Sequence, residues 1–208
     1  MDIIHPDIEN YLTHLFPSRD EILLEMERLA EKKQFPIVGP LVGRLLSQMA
    51  QAVGARRVFE FGSGFGYSAY WFVKGMNSQG KVIFTDDEEE NARLARDFFK
   101  RGGLGSCLQI EVGDALEIID RQSGMFDIIF IDCEKERYPQ AFEKALPRVR
   151  PGGLLMADNV FWFGSVVKRS TEPSAIGIQK FNQLIATTPQ LLTTILPLRD
   201  GVSISLKL

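Results

Sequence analysis

The chain has 208 residues with 24 basic and 27 acidic side chains, a net charge of −3. That length suits one substantial α/β domain with its own core, and there is no basic block able to track a phosphate backbone, which excludes nucleic acid as a main partner. No apolar run reaches the roughly 18 to 20 residues of a membrane helix, and the opening Met1-Asp2-Ile3-Ile4-His5-Pro6 has no basic-then-apolar leader pattern, so the reading is a soluble cytoplasmic protein without a membrane partner.

Residues 1–16 hold Ile4, Ile8, Tyr11, Leu12 and Leu15 at helical spacing, ended by Phe16-Pro17-Ser18. Ser18 stands three residues before Glu21 in a capping-box arrangement, and Ile22, Leu23, Met26 and Leu29 then form the apolar stripe of a second helix. Pro36 to Pro40 breaks that pattern, and a third helix is predicted from about Leu41 to Val53, stopped by Gly54. Residues 1–53 therefore read as a helical lid over the core or a dimer contact within the single domain 1–208. From Val58 the rhythm becomes strand then helix. Strands are predicted at Val58–Phe61, Val82–Thr85, Leu108–Val112, Asp127–Ile131 and Leu154–Ala157, with helices near 68–76, 89–102, 115–120, 138–148 and 175–187. Near-continuous apolar strands such as Phe126–Ile131 indicate burial on both faces, as in a parallel sheet between helical layers. Leu192–Pro197 and Val202–Leu208, turning at Asp200-Gly201, read as a closing antiparallel hairpin.

The organising stretch is Val58 to Tyr67, where a strand carrying one acid, Glu60, runs into Gly62, Gly64 and Gly66 and then a helix. Strand, glycine turn and helix N-terminus together make a crevice in which a ligand approaches the main chain closely, although a glycine turn in any α/β protein reads alike. Asp86 ends the second strand, where an acid in such sheets accepts hydrogen bonds from a ribose; it also fits one more surface acid in the run Asp86 to Glu90. Gly113-Asp114-Ala115 closes the third strand and can border a purine. The spacing Gly-x-Gly-x-Gly departs from the dinucleotide fingerprint.

Asp132 follows the strand ending at Ile131, and Asp158-Asn159 follows the strand ending at Ala157. If those strands are neighbours, their tips lie roughly 5 Å apart and both carboxylates face one crevice. Two buried like charges repel unless a cation sits between them, and two carboxylates with an amide carbonyl suit Mg²⁺ or a similar hard ion. Equally, Asp132 can cap the helix that begins nearby and Asn159 can simply turn the chain. Lys135, three residues after Asp132, brings its amine over the same crevice, where a desolvated lysine loses its proton more easily and serves as a base. Phe161, Trp162 and Phe163 are able to wall an aromatic substrate. Cys107 and Cys133 have neither metal-ligand nor disulfide spacing and read as reduced thiols. The only histidines, His5 and His14, fall too early for a zinc centre or a Ser-His-Asp triad in the main body.

The runs Glu60-Phe-Gly62-x-x-x-Gly66-Tyr67-Ser68, Phe126-Asp-Ile-Ile-Phe-Ile-Asp132-Cys-Glu-Lys135-Glu-Arg-Tyr138 and Leu146-Pro-x-x-Arg150-Pro-Gly-Gly-Leu-Leu-Met-Ala-Asp158-Asn159-Val-x-Trp162 resemble the cation-dependent O-methyltransferases, the group of the catechol and caffeoyl-coenzyme A enzymes. The likeness covers nearly the whole chain. It implies an S-adenosylmethionine-dependent, doubly wound α/β fold with a mostly parallel seven-stranded sheet ending in an antiparallel hairpin, and a homodimer. It further implies Asp132, Asp158 and Asn159 as ligands of a divalent cation (Mg²⁺ first, Mn²⁺ or Ca²⁺ as alternatives) and Lys135 as the base. Val38, Glu60, Gly62, Ser63, Ser68, Asp86, Asp114, Ala115 and Asp132 match donor-binding positions. The implied activity is methylation of a hydroxyl on a catechol-like or other small aromatic substrate. Asp86 replaces the commoner glutamate, Cys133-Glu134 the frequent Ala-Asp, and Ser165 and Gln179 stand where bacterial relatives often carry arginine. A nucleotide-dependent oxidoreductase would use the same glycine turn but leaves Asp132, Asp158 and Asn159 unexplained; a catalytically silent oligomeric binding protein of the same fold is the non-enzyme alternative.

Overall fold

The computed structural model describes residues 3–16, 20–76 and 79–208. The chain runs through α1 (Pro6–Leu15), α2 (Glu21–Lys33), α3 (Gly39–Ala52), β1 (Arg57–Phe61), α4 (Tyr67–Gly75), β2 (Lys81–Asp86), α5 (Glu89–Arg101), β3 (Leu108–Val112), α6 (Ala115–Arg121), β4 (Phe126–Ile131), α7 (Tyr138–Ala145), β5 (Val149–Ala157), α8 (Pro173–Thr187), β6 (Leu191–Leu196) and β7 (Val202–Lys207). The strands form one seven-stranded sheet in the order β3-β2-β1-β4-β5-β7-β6. β1 to β5 are parallel, β7 runs antiparallel to β5, and β6 antiparallel to β7. This is a doubly wound, mostly parallel sheet finished by a hairpin, as the strand and helix rhythm predicts.

Alternate residues of each central strand feed opposite layers. Val58, Ile128, Phe130, Leu154 and Met156 pack with α2, α3 and α4 through Met26, Val42, Leu46 and Phe72. Phe59, Phe61, Ile129, Ile131 and Leu155 pack against Ile119, Phe142 and Phe181 of α6, α7 and α8. Burial on both faces is why these strands read as unbroken apolar runs.

Ser18 lies outside the described residues, and the cap of α2 is Asp20, whose side chain accepts from Leu23 N at 2.9 Å. The third helix begins at Gly39, with Pro40 in its first turn, where a missing N–H is harmless. α7 stops at Ala145 and a 3-10 turn, Leu146–Arg148, carries the chain on; Pro147 cannot continue an α-helical hydrogen-bond ladder. β5 is longer than predicted, because Val149 already pairs with Phe126 and a register shift absorbs the Pro151-Gly152-Gly153 segment before pairing resumes at Leu154. The hairpin loop spans 197–201 rather than only Asp200-Gly201, and closes with Gly201 N donating to Leu198 O at 2.9 Å. Among the described residues, no helix is long and apolar enough to cross a membrane.

Candidate active site

The sheet's chain order reverses at β1, whose neighbours are β2 and β4, and ligands of such sheets bind outside the carboxyl ends of the strands at that point. A cavity of about 1130 Å³ opens there. The candidate cofactor, metal and base residues read from the sequence line it except Glu60, while of the expected aromatic wall Phe161 does not line it, its ring lying instead against Gly201.

One arm of the cavity follows the glycine turn. Gly62 has φ +80°, and a Cβ there would lie 2.6 Å from the carbonyl oxygen of Asp132, so glycine is what lets the first turn seat against β4. Ser63 and Ser68 are buried beside it, and Val38 reaches the cavity from the start of α3. Asp86 Oδ1 accepts from Glu88 N at 3.0 Å and Asn91 Nδ2 at 2.9 Å. Burial pushes its pKa up against those bonds. Asp114 caps α6 through Leu116 N at 2.8 Å and takes both oxygens to Arg137 Nη2 at 2.8 and 2.7 Å. Burial works upward on Asp114, yet Arg137 holds it below the usual carboxylate range. Arg137 is a residue the sequence reading did not single out, because the pair spans two separate loops.

Glu60 stands apart. It is fully buried, with Oε2 accepting from Ser63 Oγ at 2.6 Å and Oε1 without a hydrogen-bond partner. Burial pushes its pKa from 4.5 to about 7 against the pull of the Ser63 and Ser68 hydroxyls. Below pH 4.5 Glu60 is protonated in folded and unfolded chains alike; between 4.5 and about 7 the unfolded chain gives up a proton that the folded chain keeps, so stability falls as pH climbs through that window. Glu60→Gln is therefore expected to stabilise the protein at pH 8 by on the order of 3 kcal/mol and to leave it unchanged near pH 4. Melting curves at the two pH values check this, and equal shifts at both would refute it.

The other arm lies at the tips of β4 and β5. Ile131 pairs with Ala157, and the ladder runs one residue further, with Asp132 N donating to Phe61 O at 2.9 Å and Asp158 N to Ile131 O at 3.2 Å. Asp132 and Asp158 are thus neighbours, as the spacing predicts. Lys135 begins a 3-10 turn, Lys135–Arg137, and its Nζ meets Asp132 Oδ1 at 2.8 Å and donates to Tyr138 OH at 3.0 Å. Tyr138 OH in turn donates to Asp158 O at 2.9 Å and Ile131 O at 3.2 Å. This fully buried tyrosine props the lysine against both strand tips. Its spacing of three residues from Lys135 was the only signal of that role in the sequence.

Burial, then the neighbouring Asp132, pushes Asp158 up to about 7, and its Oδ1 is buried without a hydrogen-bond partner. Burial also raises Asp132, against the opposing Lys135. For Lys135, burial is the largest single influence and acts downward, but Asp132 and Asp158 together hold the amine above its ordinary value. The expectation that this lysine sheds its proton more readily is not met by the protein's own groups: it serves two acids as their counter-ion.

Among the described residues, no group of three or more His, Cys, Asp or Glu side chains is arranged to hold a metal ion. The pair of acids is nonetheless one charge short of balance and carries an orphaned oxygen. Asn159, at φ +54°, lines the same cavity and adds an amide to the donor set. All are oxygen donors of the kind a hard divalent cation takes, so the residues fit one. Trp162 and Phe163 line this end, their ring centroids 5.4 Å apart. Gln179 does not; it stitches the adjoining loop by donating to Val166 O and Lys168 O, both at 2.9 Å. Burial pushes the Cys133 thiol up to about 12.

The O-methyltransferase family profile matches residues 16–208. A catechol O-methyltransferase of Niastella koreensis is 31% identical, with 98% of this chain and 97% of that protein covered. Caffeoyl-CoA O-methyltransferase 2 of Zea mays is 27% identical over 95% of this chain and 81% of its own length. A crystal structure of an O-methyltransferase from Bacillus cereus in complex with SAH superposes with a TM-score of 0.89 at 30% identity, covering 97% of each chain. Sequence and fold agree: the chain belongs to the S-adenosylmethionine-dependent O-methyltransferase family.

Proposed function

We propose that this protein transfers the methyl group of S-adenosylmethionine to a hydroxyl of a catechol-like or other small aromatic substrate, with a divalent cation held by Asp132, Asp158 and Asn159. The observation that carries this reading is the buried, charge-imbalanced pair Asp132 and Asp158 beside Lys135, in the same cavity as the glycine turn. The catechol O-methyltransferase relative supports the substrate class, and the SAH complex supports the donor.

In the mechanism we infer, the Gly62 turn, Ser63, Ser68, Asp86 and the Asp114-Ala115 turn hold the donor along one arm, and Val38 closes over it. Trp162 and Phe163 form an aromatic wall that orients the acceptor ring at the other arm. The acceptor oxygen attacks the sulfonium methyl in line, the carbon–sulfur bond breaks to leave a neutral thioether, and the hydroxyl proton passes to Lys135 Nζ in its neutral, unprotonated form. Holding the two reactants in one geometry supplies much of the rate. Asp132, Asp158 and Asn159 would hold the divalent ion, which would supply positive charge favouring the ionised hydroxyl and offsetting the two acids that keep Lys135 protonated. The half-exposed Ile8, Tyr11 and Leu15 on α1 support a homodimer in which a partner covers that face.

Transfer of labelled methyl from S-adenosylmethionine to a panel of catechols, run with and without Mg²⁺, tests the reading. Product on vicinal diols and none on phenols lacking the second oxygen is the expected result. No transfer to any member of the panel, with donor bound, would remove the substrate assignment.

A further inference from the structure

Arg199, in the loop between β6 and β7, has φ +51°, a backbone conformation that side chains other than glycine rarely adopt. A strained residue persists where surrounding contacts hold it, and Arg199 has such contacts. Its Nη1 donates to Ile37 O at 2.7 Å, 162 positions away in sequence, and its Nε lies 3.5 Å from Glu9 Oε1 on α1. It also lies against Gly39, the first residue of α3, whose φ of +73° favours glycine and where an added Cβ would come within 2.6 Å of Nη1. Two segments remote from it thus converge on one cation. Glu9, Ile37 and Arg199 all line the transfer cavity.

Among the described residues, α1 has little else to hold it. None of its residues is buried. At its far end Arg44 Nη2 donates to Phe16 O at 3.2 Å and stacks over the Phe16 ring at 4.9 Å. The beginning of α1, where Pro6 and Glu9 border the cavity, is tied to the body through the Glu9–Arg199 pair. The next residue, Asp200, accepts from Phe163 N at 2.7 Å, so the loop that carries the arginine also pins the aromatic wall.

We propose that Arg199 is a positioning residue that, anchored on the Ile37 carbonyl, clasps the N-terminal half of α1 over the acceptor end of the cavity. It thereby shapes the acceptor's binding wall without touching the reacting atoms. This inference rests on reading the cavity as the methyl-transfer site.

The test compares wild type with Arg199→Gly, which relaxes the backbone and removes the guanidinium, Arg199→Lys, which keeps a charge without the planar fork, and Glu9→Gln, which breaks only the ion pair. Four quantities are read: KM and kcat for a catechol acceptor, affinity for S-adenosylhomocysteine by calorimetry, and amide hydrogen exchange of residues 6–15. Arg199→Gly is expected to raise acceptor KM about tenfold, the scale of one lost hydrogen bond and a weak ion pair. kcat and S-adenosylhomocysteine affinity should stay within about twofold and exchange in 6–15 should accelerate, with partial recovery in Arg199→Lys and an intermediate effect in Glu9→Gln. Unchanged acceptor KM together with unchanged exchange in Arg199→Gly overturns the clasp. If wild type methylates no catechol, the substrate reading fails on its own, and hydrogen exchange alone still decides for or against the clasp.

Discussion

Lys135→Met is expected to lower kcat by roughly 10²–10⁴-fold, the usual contribution of a positioned proton acceptor, while affinity for S-adenosylhomocysteine remains near wild type. The amine sits 2.8 Å from Asp132 and 3.0 Å from Tyr138 OH, and its ammonium lies 5.9 Å from the Trp162 ring centroid, so it occupies the junction of acids and aromatic wall. Methionine keeps the length and the apolar stem but cannot take a proton or balance a charge. The same substitution leaves Asp132 and Asp158 without their counter-ion. Because those acids raise the lysine's pKa, its stabilising charge is fully present below the ordinary lysine range and fades only as pH rises through the raised value. A stability loss of about 3 kcal/mol at neutral pH is accordingly expected from removing one partner of a buried pair. The two roles separate by experiment. Lys135→Arg retains the charge but cannot act as a base at accessible pH, so it should recover melting temperature without recovering kcat. If Lys135→Met kept kcat within tenfold of wild type, Lys135 would be a counter-ion only.

Removing divalent cations with a chelator is expected to suppress transfer at least 100-fold, on the order of the several kcal/mol a Lewis acid contributes, with recovery on adding Mg²⁺. Stability gives a readout independent of turnover. At a cation concentration about 100 times Kd the folded state gains about 2.7 kcal/mol, a rise in melting temperature of roughly 5–10 °C for a chain of this size. The gain depends on pH through Asp158, whose pKa rises from 3.8 to about 7 on folding. Between those values the folded chain binds a proton that the unfolded chain does not, so cation-free stability falls as pH climbs through this window. Protons and cation compete for the same carboxylate. The Mg²⁺-induced shift should accordingly be larger at pH 8 than at pH 5. Asp158→Asn removes the charge while keeping the shape; it should melt higher than wild type at pH 8 without added cation and lose most of the Mg²⁺ response. A full Mg²⁺ response in Asp158→Asn would move the ion elsewhere, and chelator-resistant transfer would remove it from the reaction.

Local chemistry by itself determined the sheet, the glycine turn and the strand-end acids of this protein. Apolar runs of strand length can be satisfied only by burial on both faces, as Val58 and Phe59 show by feeding opposite layers. Asp132 and Asp158 became one site as soon as β4 and β5 were taken as neighbours, because residues one step past paired strand ends must lie side by side. The tertiary structure alone decided how those groups are balanced. Glu60 looks like a ligand contact in its motif, yet it does not itself line the cavity: it is fully buried and bonded to Ser63, and burial rather than neighbouring charge governs it. Lys135 looks like a lysine freed by desolvation, yet two acids brought in from separate strands outweigh the burial, since charge interactions in a low-dielectric pocket depend on distance through space. The Arg199 clasp gathers Glu9, Ile37 and Gly39 from the other end of the chain, and no periodicity or spacing encodes a contact between residues that only folding makes adjacent.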